Sequence, residues 1–285
     1  MKRNAFTLIE LLVVIAIIAL LLSIILPSLK AAKKMAQGTI CLSNFSGLSK
    51  SYYMYAEDND GHLVKSGPWD DHWVNQPGIL DSTGAFNRVG HSSTIDQKKA
   101  GIMDGTLFAY NDTIELYHCP GDRRFLVSIP GGAGPYRSYS LPTGANPIEG
   151  TDWDTGHTIS GHTLRAVRKM NEFRSPGDKF TFIEENYTHK AGTNSQTQPP
   201  DAGYNNGTWA MWQNGWESWR DPLAPWHNDR TNLGFADGHA EKKVWRDPRT
   251  VKFSYDRYFN GANFSQPGNE DIEYINRAYP CIKIN

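Results

Sequence analysis

The residues best suited to chemistry in this chain are few and scattered. His227 is followed by nine residues and then by Asp237-Gly238-His239, and Glu184-Glu185 stand together upstream. An imidazole with carboxylates is a donor set for a transition metal such as zinc, so His227, Asp237, His239 and Glu185 form one candidate metal site. The same residues have a plainer use. Asp237-Gly238 is the strongest two-residue signal for a hairpin turn, and His227 can bond a nearby backbone group; both readings stay open. Asp58-Asn59-Asp60-Gly61 has the oxygen alternation that begins a calcium loop. It lacks the later acidic ligand of an EF-hand, and it equally suits a helix end with Gly61 as the cap. The sequence carries no Ser-His-Asp spacing, phosphate-cradling glycine loop or CxxC pair.

Three cysteines add a further possibility. Cys41 falls on the apolar face of a helical pattern and Cys119 precedes a Pro-Gly turn, so a disulfide between them would staple one element to another. It would close a loop of about 78 residues and stabilise the fold by about 2 to 4 kcal/mol. The alternative is that Cys41 is a small buried apolar residue. Cys281 is left over, either free or the partner of one of the others.

The element that must position these groups begins at the N-terminus. Lys2 and Arg3 lead into residues 6–26, an apolar stretch with one charge, Glu10. At helical rise it spans about 31 Å, the thickness of a bilayer's hydrocarbon core, with the basic leader on the cytoplasmic side. A secretory signal places its small-residue cleavage site after the apolar region; here Ala5 precedes it, so cutting there leaves the helix on the mature chain. A carboxylate near the end of such a helix costs about 2 to 3 kcal/mol unless it finds a partner, and a neighbouring subunit's positive N-terminus is one.

Beyond Pro27, apolar residues recur at Leu29, Ala32, Ala36, Cys41, Phe45, Leu48, Tyr52 and Tyr55, with Lys30, Lys33, Lys34, Gln37 and Lys50 opposite. The spacing predicts one long helix over 6–57, bent at Pro27 and about 78 Å long. From Asp58 the composition turns to Gly, Asn, Asp, Pro, Ser and aromatics, which predicts a β-rich, loop-rich head over 58–285 and an α+β fold. Strand signals fall at 113–118, 179–184 and 232–244, the last as a hairpin about Asp237-Gly238 with a type I′ turn. A short helix is predicted over 163–173, and 84–101, 128–160 and 188–231 read as long loops. The net charge of −1 gives no electrostatic footprint for nucleic acid. Trp209, Trp212, Trp216, Trp219 and Trp226 crowd one region, either as a sugar-stacking or subunit-contact surface or as filling for a core short of aliphatic residues.

Ala5-Phe6-Thr7-Leu8-Ile9-Glu10 resembles the cleavage and methylation signal of type IV prepilins and type II secretion pseudopilins, although that family usually has Gly at the position of Ala5. Further stretches resemble a bacterial branch of prepilin-type proteins marked by an H-x9-DG signature. They are His227 with Asp237-Gly238, Cys41-Leu42-Ser43-Asn44, YAEDNDG at 55–61, Cys119-Pro120-Gly121-Asp122, and Glu184-Glu185. The likeness leaves 62–112 and 186–226 unmatched. It implies a leader, residues 1–5, removed by a prepilin peptidase between Ala5 and Phe6, N-methylation of Phe6, and assembly guided by Glu10. The implied partners are sister subunits, the peptidase, an inner-membrane assembly platform and, before assembly, the lipid bilayer. The implied location is the inner membrane, single-pass, and then a periplasmic or extracellular filament. The reading is a structural subunit and not an enzyme, with no certain cofactor. The alternative is an anchored head with glycan-binding or metal-dependent hydrolytic activity, which a cleft joining the His227 and Glu185 regions would favour.

Overall fold

The computed structural model describes residues 8–68, 71–89, 93–129, 132–147, 157–159, 162–186, 207–211, 217–256 and 265–283. The leader with Ala5 and Phe6, as well as Trp212 and Trp216, lies outside the described residues. The fold is α+β: one long N-terminal helix, α1 (Leu8–Asp58), followed by a β-rich head.

α1 runs unbroken through Pro27, because a proline removes one intrahelical bond and bends a helix without having to end it. Residues 8–36 are exposed throughout, whereas Gly38, Cys41, Phe45, Leu48, Tyr52 and Ala56 are buried. Their steps of three and four trace a single helical face. The face predicted from Leu29, Ala32 and Ala36 is therefore not covered by the head, whose contact with α1 buries residues from Gly38 onward. α1 ends as Asp60 and Gly61 take positive φ, 53° and 77°, and the Gly61 N–H bonds the Ala56 carbonyl at 2.8 Å. This is a left-handed helix stop, with Asp60 sharing the role expected of Gly61. Asn59 also bonds back to the Tyr55 carbonyl at 2.7 Å, so the oxygen-rich tetrapeptide serves the helix end.

The head is organised on a five-stranded sheet of β1 (Tyr139–Pro142), β2 (Phe180–Glu184), β3 (Thr208–Trp209), β4 (Arg230–Phe235) and β5 (Ala240–Val244). Their spatial order is β3-β1-β2-β4-β5. β3 and β1 run parallel and the other pairs antiparallel, with Ile183 opposite both Ser140 and Leu233. A bulge between Phe180 and Phe182 lets the two rings enter different cores. Phe182 joins Phe45, Leu48, Tyr52, Trp73 and Tyr139 beneath α1. Phe180 and Ile183 join Trp209, Trp219, Trp245 and Phe253, in the core completed by α3 (Pro248–Asp256) and α4 (Glu270–Ala278). α2 (Ile95–Met103) lies outside the sheet.

Several local expectations differ from the structure. Residues 114–117 form a short 3-10 helix in place of a strand. The expected helix over 163–173 is a strand, His162–Ala166, followed by a 3-10 turn, Met170–Glu172; pairing with Cys281–Lys283 overrides its helical propensity. The loop expected over 84–101 contains a strand, Phe86–Arg88, and the start of α2, whose capping box joins Thr94 and Gln97. β1 lies inside the loop expected over 128–160.

Truncating a large buried ring costs about 3 to 5 kcal/mol. Phe45→Ala should therefore lower the thermal stability of the detergent-solubilised chain by that order, while Leu29→Ala leaves the melting temperature of the head unchanged. Equal effects from both would contradict a junction at Gly38.

Candidate functional site

Where α1 meets the sheet, four side chains from four segments converge. Cys41 comes from α1, Cys119 from the turn after residue 118, Glu184 from the end of β2 and His227 from the loop before β4. One donor atom of each lies within 4.8 Å of all the others, and all four residues are buried. The Cys41 and Cys119 thiols are free, with their sulfurs 2.8 Å apart. His227 Nε2 is 3.2 Å from Cys119 Sγ and 3.0 Å from Glu184 Oε1.

Glu184 and Cys119 are held from outside the cluster. Asn232 donates its backbone N–H to Glu184 Oε2 at 2.8 Å and its amide to Oε1 at 3.0 Å. The Gly121 N–H points at Cys119 Sγ, 3.3 Å away, and the Cys119 N–H bonds Ser138 Oγ, which donates to Asp122. Asp122 is also paired with buried Arg124 at 2.7 Å, whose guanidinium lies 4.9 Å from the Trp226 ring centre. α1 grips the same turn, through Gln37 to the Pro120 carbonyl at 2.7 Å and Asn44 to the His118 carbonyl at 3.0 Å. The His227 ring sits close against two glycine backbones, where an added side chain would crowd it. A Cβ at Gly121 would lie 3.2 Å from its Cε1, and one at Gly38 would lie 3.3 Å from its Cγ.

Burial pushes the Cys119 thiol well up, and the Cys41 sulfur and the Glu184 charge push the same way. Burial pulls His227 down, but Glu184 and Cys41 outweigh it and lift the imidazole to about 10. The ring therefore holds the proton that balances Glu184, although its Nδ1 has no hydrogen-bond partner.

The comparisons bear on the other end of α1. The family model for the prokaryotic N-terminal methylation motif matches residues 1–26. The chain carries a prepilin-type N-terminus. It is also similar to the type IV wide pilus major component PilA4 of Thermus thermophilus, 47% identical over 62 residues, 21% of this chain and 47% of that protein. The chain thus spans about half the length of the curated relative it matches. No solved structure matches. The convergent residues, Cys41 apart, belong to the head that hangs from this prepilin-type helix.

The other residues singled out in the sequence lie elsewhere. Asp237 and His239 occupy the tip of the β4-β5 hairpin, exposed and bonded to each other at 2.6 Å, with the His239 ring stacked 4.3 Å from that of Phe235. Glu185 turns to Ser140, and burial together with the Asp221 charge lifts it to about 8. Cys281 pairs with Ala166 in a separate sheet. Trp209 and Trp219 fill the second core, while Trp226 is half-buried. A surface cavity of about 600 Å³, lined by Arg174, Asp178, Lys179, Tyr274 and Arg277 among others, contains neither His227 nor Glu185.

The hairpin closes with the Gly238 N–H on the Phe235 carbonyl at 3.0 Å and the Phe235 N–H on the His239 carbonyl at 2.9 Å. This is a three-residue loop with its left-handed position at Gly238, φ 91°. Asp237 does not take positive φ, so the turn differs from the type I′ expected and Asp237 bears no strain. A Cβ at Gly238 meets nothing within 4 Å, so only backbone strain opposes substitution. Gly238→Val should destabilise the head by about 1 to 3 kcal/mol, and Gly238→Asn, which tolerates this conformation, by less. Thermal melts that rank the two in the opposite order would contradict this turn.

Proposed function

We propose that the chain is a structural subunit of a type IV pilus-like or pseudopilus filament, held in the inner membrane by the first half of α1 until it is assembled. The observation that carries this reading is the division of α1. Residues 8–36 are exposed and residues 38–56 contain the buried stripe. Among the described residues α1 is long and apolar enough to cross a membrane. An apolar helix that its own head does not cover needs lipid first and sister helices later.

The processing site proposed is the bond between Ala5 and Phe6, cut by a prepilin peptidase and followed by N-methylation of Phe6. Glu10, in the exposed first part of α1, would face the N-terminal ammonium of a neighbouring subunit in the filament. The likeness to a type IV pilus component supports a filament subunit. The anchored-enzyme alternative is disfavoured by the burial of Cys41, Cys119, Glu184 and His227, since catalysis needs convergent groups that a substrate can reach.

Mass spectrometry of assembled protein should give a mature chain that begins at N-methyl-Phe6. Glu10→Val should be processed normally yet yield few filaments by electron microscopy of sheared surface material. Recovery of filaments that retain Met1, or wild-type filament yield from Glu10→Val, would defeat the proposal.

A further inference from the structure

We propose that Cys41, Cys119, Glu184 and His227 together bind one divalent transition-metal ion, zinc by the nature of the donors, which clamps α1 to the head. Two thiolates, an imidazole and a carboxylate are the N, S and O ligands that zinc takes in four-coordinate sites. The soft sulfurs favour it over magnesium or calcium. With zinc-ligand bonds of about 2.0 to 2.3 Å, tetrahedral donors lie roughly 3.2 to 3.8 Å apart. Here the imidazole nitrogen lies 3.0 and 3.2 Å from its oxygen and sulfur neighbours. The two sulfurs, 2.8 Å apart, need to separate by about an ångström to share a metal ion.

A disulfide between Cys41 and Cys119 would use the same sulfurs and leave His227 and Glu184 beside it as a buried ion pair. It requires no buried imidazole 3.2 Å from Cys119 Sγ and no buried carboxylate 3.0 Å beyond that. A cation accounts for all four donors at once, and the polar groups behind them have the orientation that ligands need. Asn232 fixes Glu184 through two hydrogen bonds, and the Gly121 N–H stabilises a thiolate at Cys119. The donors make a closed, buried set with four protein ligands, the form of a structural site and not of a catalytic one. Binding releases the protons of both thiols and of the imidazole to solvent, with no change of oxidation state. The site is independent of N-terminal processing, so it stands or falls apart from the filament reading.

The test uses the full chain, purified from membranes in detergent without added metal. Elemental analysis should find about one zinc per chain, lost in Cys41→Ser, Cys119→Ser and His227→Gln. Those variants can also lose metal by unfolding, so the wild-type chain supplies a second readout. After chelation, cobalt(II) should restore binding with a thiolate-to-cobalt charge-transfer absorption, and Cys41 and Cys119 should be alkylated with chelator and protected without it. Asn232→Ala keeps every ligand and should weaken zinc affinity by about 10- to 100-fold. Non-reducing peptide mapping that finds a Cys41–Cys119 disulfide in the exported protein would overturn the proposal. So would free thiols with no bound zinc and no cobalt absorption.

Discussion

The head takes its arrangement from the stripe of α1 formed by Gly38, Cys41, Phe45, Leu48, Tyr52 and Ala56. Phe45 packs 4.5 Å from the Tyr139 ring and Tyr52 packs edge-on to Phe182 at 5.8 Å. The helix crosses β4, where Gly234 lies against Phe45 and Ser49, and its rings reach across to β1 and β2. Polar groups set the register along the stripe. Asn44 spans the His118 carbonyl and the Tyr139 hydroxyl, contacts that apolar packing alone could not specify, because a helix sliding on oil meets no abrupt penalty. Buried donors left without acceptors supply that penalty.

The spacing of the H-x9-DG signature has a physical meaning in this fold. β4, six residues from Arg230 to Phe235, fills most of the interval, and at about 3.3 Å per residue it separates the signature's two ends by roughly 20 Å. His227 enters the buried cluster before the strand and Asp237-Gly238 turns the chain after it. The interval measures a strand and does not place two ligands on one ion. The signature reads as two constraints on one hairpin, one at its root and one at its tip.

That distinction also marks how much of the molecule was legible in the residues. The length of α1, its passage through Pro27 and the β4-β5 hairpin follow from local patterns, and local patterns are visible in a sequence. Strand alternation could have separated Glu184 from Glu185, since consecutive strand residues point to opposite faces, and only Glu184 meets His227. The Thr94 to Gln97 capping box was an available signal for α2. By contrast, β1 gave no cue: Tyr139-Ser140-Leu141-Pro142 is short and ends in proline, and its place beside β2 comes from tertiary packing. The meeting of Cys41, Cys119, Glu184 and His227, with 186 residues between positions 41 and 227, is likewise a property of topology.

The same topology shows what a cross-link at this point of the helix would do. In the proposed filament the first half of α1 passes from lipid to protein neighbours, and its exposed surface over residues 11–22 is apolar all round, so that stretch carries little information about the rotation of the head around it. The orientation of each head is then set at the junction between residues 37 and 44, where Gln37, Cys41 and Asn44 all engage the segment from His118 to Pro120. A junction held by apolar contact alone would let that segment shift along the helix. Directional bonds concentrated within two turns of the junction oppose such a shift, and the buried cluster lies in those two turns.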